Sequence, residues 1–156
     1  MRMEYLVVKW LHVVSSTILF GTGVGSAYYM LMAGLRGRPA EVHFVARHVV
    51  IADWIFTATA VVVQPLTGLW LANAAGLPLS TPWIAWSIAL YLVAGACWVP
   101  VLVMQYRMLD IARVTAAAGA ELPPAFRLHF AAWITLGMPA FVALLIVFWL
   151  MVARPG

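Results

Sequence analysis

The chain has 156 residues, 65% of them hydrophobic and 9% charged, with a mean hydropathy of +1.00. Ordinary soluble domains are about half apolar and a quarter charged, so this composition excludes them and points to one domain in a bilayer. The net charge of +4 is spread too thinly for a nucleic-acid surface, and the single cysteine, Cys97, excludes an intrachain disulfide and a cysteine-rich metal site.

A helix needs about 20 apolar residues to cross the hydrocarbon, and four such runs occur. The first covers residues 5–33. Gly25-Ser26-Ala27 is a passable small-residue cleavage site, but the apolar run continues past it, so a removed secretory signal is not expected. The stretch GTGVGS (21–26) lies within this span rather than after a soluble strand. It reads as helix packing, with Gly21 and Gly25 as a small-xxx-small pair, and not as a nucleotide loop. A short loop with Arg36, Arg38 and Pro39 leads to the second span, residues 44–73, which holds His48, Asp53, Gln64 and Pro65. Proline has no N–H, so Pro65 is expected to bend the helix and free a carbonyl near Val61. An uncharged linker with Gly76, Pro78 and Pro82 then makes a tight turn. The third span, residues 83–107, contains Pro100. The longest loop, 108–127, carries Asp110, Arg113, an alanine-rich stretch and Pro123-Pro124, and the fourth span, 128–153, contains Pro139. The expected fold is all-α: an integral membrane four-helix bundle with kinked transmembrane helices, in a single domain.

Four spans put both termini on one side. Arg36, Arg38, Arg47, Arg107, Arg113 and Arg127 fall on or beside loops one and three, against Arg2, Lys9 and Arg154 on the side of the termini. Basic residues favour the cytoplasm, so both termini are expected outside. Trp83, Trp86, Trp149 and Tyr5 lie near span ends, as an aromatic belt requires.

At about 100° per residue, Asp53, Thr57, Ala60, Gln64 and Thr67 share one stripe of the second span. An acid in hydrocarbon is expensive, so this seam is expected to face the bundle interior, with Asp53 as the candidate catalytic group: a proton carrier or the partner of a cation. A structural ion pair with Arg47 or Arg107 is the alternative. On the first span His12 shares a face with Ser16, Gly23 and Ser26, and on the third Ser87, Tyr91, Ala94, Trp98, Val101 and Gln105 share another. An antiparallel hairpin through loop one sets His12 near Gln64 and Pro65 on the outer side. His48, Arg107 and His129 fall on the inner side, with Asp53 one to two turns deeper. At 1.5 Å per residue, His12 and His48 are separated by roughly 20 Å or more, too far to ligate one haem from opposite faces.

His12 is the leading candidate for a haem or other metal ligand, since a neutral imidazole in apolar surroundings binds such iron well. The alternative is a buried histidine bonded to a neighbouring helix. His48 is a second candidate metal ligand and His129 a further cofactor ligand, both otherwise ordinary interfacial histidines. Lys9 either meets an anionic group near His12 or snorkels outward. Arg47 and Arg107 either anchor the helix ends or hold a propionate or lipid headgroup. Gln64 and Gln105 stand beside any such cofactor, or serve as interhelical hydrogen bonds. The eight methionines form no tight cluster and read as packing rather than a copper path.

Several of these pieces also carry a resemblance. Lys9-Trp10-Leu11-His12-Val13-Val14-Ser15-Ser16, Phe20-Gly21-Thr22-Gly23, Arg47-His48, Asp53-Trp54, Gln64-Pro65-Leu66-Thr67-Gly68 and Trp98-Val99-Pro100 with Gln105 resemble an uncharacterised family of predicted bacterial integral membrane proteins. The resemblance covers nearly the whole chain, implies a bacterial inner membrane, and brings no function with it. More distantly, Lys9-x-x-His12 at the start of a first span is similar to the opening of HemJ-type protoporphyrinogen oxidases and CopD-type membrane proteins. In the HemJ type a histidine at this place ligates haem, which implies that role for His12.

Three functions follow as expectations. The first is a haem-b protein with an electron-transfer or oxidoreductase role, taking a porphyrinogen or quinol as partner. The second is a carrier or channel for a metal ion or small solute, built on the Asp53–Gln64 seam. The third is an assembly subunit of a larger membrane complex. Four spans are few for a monomeric carrier, so either of the first two is easier in a homodimer, for which the Gly21/Gly25 face is one available contact.

Overall fold

A computed structural model describes residues 2–155. Its elements in chain order are α1 (Arg2–Arg36), α2 (Pro39–Ala52), a single π-helical turn (Asp53–Thr57), α3 (Ala58–Ala74), α4 (Pro82–Ala118) and α5 (Pro124–Ala153). The second span runs without a break through α2, the π turn and α3, so four helices are long and apolar enough to cross a membrane: Arg2–Arg36, Pro39–Ala74, Pro82–Ala118 and Pro124–Ala153. Their boundaries follow glycine and proline chemistry. Gly37, Gly76 and Gly119 adopt left-handed φ of 69°, 66° and 62°, a conformation that costs an L side chain but not glycine. Pro39, Pro82 and Pro124 open the next helices, where a missing N–H breaks no hydrogen bond.

The short connections force neighbouring spans to run antiparallel. α1 packs on α2, the π turn and α3; α2 packs on α4; and α4 lies along α5 over the longest contact of the molecule. The ring closes where α5 meets α1. Phe20 lies 5.5 Å from Phe141 and 5.2 Å from Phe148 between ring centroids, and Phe130 sits directly against the backbone of Gly34. The expected four-helix bundle is thus observed.

Its two ends differ. Towards loops one and three the interior is apolar, with Met30, Val42, Ala46, Val49, Met108, Ala112, Phe126 and Trp133 in one buried cluster. Towards the termini the interior is mixed: Ser15, Gln64 and Ser87 are buried beside Leu19, Ala60, Ile84, Ala94 and Val147. The region expected as the longest loop is mostly helix, since α4 continues to Ala118. RMLDIARVTAAA is rich in good helix formers, and Met108 and Ala112, both 0% exposed, bind this extension to the apolar cluster.

Candidate functional site

The seam expected on the second span is buried. Asp53, Thr57, Ala60 and Gln64 are 4–6% exposed and Thr67 is half-buried. Successive buried positions 49, 53 and 57 are four residues apart, more than the 3.6 of an α turn, and the wider π turn keeps both Asp53 and Thr57 on the interior face.

At the middle of the bundle the Thr57 hydroxyl donates to Asp53 Oδ1 at 2.8 Å, and the Gln105 side chain on α4 hydrogen-bonds the same carboxyl. No basic group reaches it among the described residues. Arg47 and Arg107, the alternative partners, are exposed and form no ion pair there. The next residue on each helix makes a second bond on the outer face, where Trp54 Nε1–H donates to Tyr106 Oη at 2.6 Å. Asp53–Gln105 inside and Trp54–Tyr106 outside therefore clamp the π turn to α4. Nothing in the periodicity of either span flags Tyr106, because its partner depends on the azimuth of α4.

Nearer the termini, His12 is held by α3 through both ring nitrogens. Thr67 donates its hydroxyl to Val63 O at 2.7 Å, so its oxygen is left to accept Nδ1–H of His12 at 2.8 Å. Nε2 then accepts from Gln64 Nε2–H at 3.1 Å. Gly68 supplies the clearance, since a Cβ there would stand 3.1 Å from Cε1 of the ring. His12 thus lies beside Gln64, where the antiparallel hairpin was expected to set it. Ser15 adds a 3.4 Å bond to Ala60 O. The carbonyl freed by Pro65 is also found: Val61 O accepts the Tyr91 hydroxyl of α4 at 2.8 Å. Thr57, Thr67 and Tyr91 were legible as stripe members, but their partners were not.

The remaining candidates stand apart. His48 is exposed, with Nδ1 bonded to its own helix at Phe44 O (2.7 Å), and His129 is likewise bonded to Ala125 O (2.7 Å). Each satisfies an i−4 carbonyl near the start of its helix, and the structure brings neither to His12. His48 lies 16 residues before Gln64 on the second span, roughly 24 Å of helical rise. Lys9 is exposed and makes no bond to His12. Gln105 and Gln64 are the two candidates that do join the seam, with Asp53 and His12.

The described residues contain no group of three His, Cys, Asp or Glu side chains able to hold a metal ion. A haem on His12 would find one suitable feature, since Nδ1–H is anchored on Thr67 and turns Nε2 inward, the orientation typical of a metal-bound imidazole. The space does not fit. The pocket beside Gln64, lined also by Ser16, Phe20, Tyr91 and Phe148, holds about 30 Å³. Sites for sizeable ligands need roughly 300 Å³ or more. A larger recess, an open groove of about 430 Å³ between Tyr29, Arg36, Glu41 and Phe44, is at the opposite end of the bundle and has no histidine in its walls.

Fold and interior together define an all-helical integral membrane protein with a polar seam enclosed by its four spans. The chain belongs to a family of predicted integral membrane proteins, DUF2269, whose match covers residues 6–155. Searches of curated proteins and of solved structures returned no match.

Proposed function

We propose that this protein passes protons, or a small cation, through the membrane along the buried seam of its second span, with Asp53 as the group that takes up and releases the charge. The observation that carries this reading is the setting of Asp53. It is 4% exposed, sits in a π turn, and has a hydroxyl and an amide as partners instead of a base. A carboxyl kept inside a bilayer for structure alone would be paired with a cation, whereas an unpaired one is suited to change its charge. π turns also recur at functional sites.

Purified protein in lipid vesicles tests the proposal. An imposed pH or cation gradient should drive a flux that Asp53→Asn lowers at least tenfold while the helical content stays unchanged. Equal flux from the two proteins, or none from either, overturns it.

A haem-b redox role acting on a quinol or porphyrinogen is the second reading, favoured by the Thr67-anchored His12. It requires Gln64 to turn away and the helices around the 30 Å³ cavity to part. A Soret band in the purified protein, lost in His12→Ala, would establish it; a colourless protein from haem-replete cells would exclude it.

The arginine distribution supports an orientation with both termini outside, and the bacterial inner-membrane setting rests on the family resemblance. The open surface at Gly21, Gly23 and Gly25, where an added Cβ meets nothing within 4 Å, supports a homodimer contact along α1.

A further inference from the structure

The chain contains only two glutamines, and both lie on the buried seam beside an ionisable side chain. Gln64 faces His12 Nε2 at 3.1 Å, and Gln105 hydrogen-bonds Asp53. In each, the carbonyl oxygen Oε1 is buried and has no hydrogen-bond partner, although the residues are only 6% and 4% exposed. A buried acceptor without a donor is uncommon and costs about 1–3 kcal/mol. Two of them, in the same role on neighbouring helices, call for a reason.

Turning a side-chain amide over exchanges Oε1 for Nε2 with almost no change of shape. Either orientation leaves one end of these amides unpaired, so packing does not choose between them. The neighbour's protonation state does. An ionised Asp53 only accepts, and takes Nε2–H of Gln105; a protonated Asp53 has an O–H to donate and needs Oε1. Neutral His12, with its proton on Nδ1 towards Thr67, accepts at Nε2; the imidazolium donates there.

We propose that Gln105 and Gln64 are positioning residues that turn over when Asp53 and His12 take up a proton, so that the seam holds the loaded and the empty states with equal hydrogen bonding. This rests on the charge-handling reading of the seam and names the proton as what it carries. The surroundings suit it. Among the described residues the polar partners of Asp53 are Thr57 and Gln105, while Arg47 and His48 on α2, Tyr28 and Tyr29 on α1, and Tyr106 and Arg107 on α4 are exposed. Around His12, α3 contributes no charged residue, Lys9 on α1 is exposed, and Arg154 at the end of α5 is exposed against the Trp83 ring.

Protein with ¹⁵N only in the glutamine side-chain amides gives two NH₂ signals, and these are followed through a pH titration in detergent micelles. Gln105→Leu removes one and assigns both. The Gln105 signal is expected to shift in step with the Asp53 carboxyl carbon and to stand still in Asp53→Asn. The Gln64 signal should shift with His12 and stand still in His12→Asn. If Asp53 titrates while the Gln105 amide does not move, or if the shift survives Asp53→Asn, the inference is overturned. So is it if neither amide moves over the whole range in which the protein stays folded. Amide shifts without vesicle flux would retain the turn-over and remove the transport reading; flux without amide shifts would do the reverse.

Discussion

Gly34 and Gly21 are both glycines of α1, and their surroundings make them opposites. A Cβ on Gly34 would collide with the edge of the Phe130 ring, whereas a Cβ on Gly21 meets nothing within 4 Å. Overpacking of this kind costs about 1–3 kcal/mol. Gly34→Ala should therefore lower the thermal midpoint of the detergent-solubilised protein by several degrees. Gly21→Ala should leave it unchanged or raise it, because alanine is about 0.5–1 kcal/mol better than glycine within a helix. The same pair separates intrachain from interchain packing: if Gly21 faces a second copy, Gly21→Ile dissociates the dimer in cross-linking while the monomer stays folded. The sequence marked Gly21 and Gly25 as a candidate packing pair of the first span, yet a Cβ on either meets nothing within 4 Å. It did not mark Gly34, whose importance comes from an aromatic ring on a helix nearly a hundred residues away.

At the scale of elements, the Pro65–Tyr91 contact joins two helices through one orphaned carbonyl. Proline removes the N–H that would bond Val61 O, and the Tyr91 hydroxyl replaces it at 2.8 Å. Tyr91→Phe should destabilise the protein by about 1–3 kcal/mol, the usual cost of an unsatisfied buried acceptor. In a Pro65→Ala background the restored N–H bonds Val61 O, and the same substitution should cost under about 1 kcal/mol. A double-mutant cycle from unfolding in mixed micelles reads this coupling, and additive effects would show that Tyr91 acts by packing alone. The π turn is an element-scale feature too. The spacing of Asp53, Thr57, Ala60 and Gln64 showed which face turns inward, because helical periodicity sorts side chains by azimuth. It did not show the π turn, which depends on α4 presenting Gln105 and Tyr106 to either side of the same turn.

For the whole molecule, the bundle interior is apolar towards loops one and three and carries buried polar side chains among apolar ones towards the termini. That asymmetry gives the seam a direction: its end at His12 and Thr67 lies on the side of the termini, and its end at Asp53 lies deep in the bilayer against the apolar cluster. If loops one and three face the cytoplasm, as proposed above, a single cysteine at Ala120 in a Cys97→Ala background should react with a membrane-impermeant maleimide only after the cells are opened. One at Ala75 should react in intact spheroplasts. The reverse pattern would invert the bundle and the direction of the seam.

The sequence by itself determined the class and most of the architecture. Hydropathy counts the spans, short connections make them antiparallel, and Gly and Pro at positions such as Gly119 and Pro124 set the helix ends, all through local chemistry. It also showed which stripe of each helix is polar. Only the tertiary structure decided which polar groups meet. His12 joins Gln64 and Thr67, Asp53 joins Thr57 and Gln105, and His48 and His129 remain on their own helices. The reason is geometric: periodicity fixes a side chain's azimuth on its own helix, whereas a contact depends on the rotation and depth of another helix. Those are set by close-packing side chains such as Met108, Phe126 and Phe130 far along the chain.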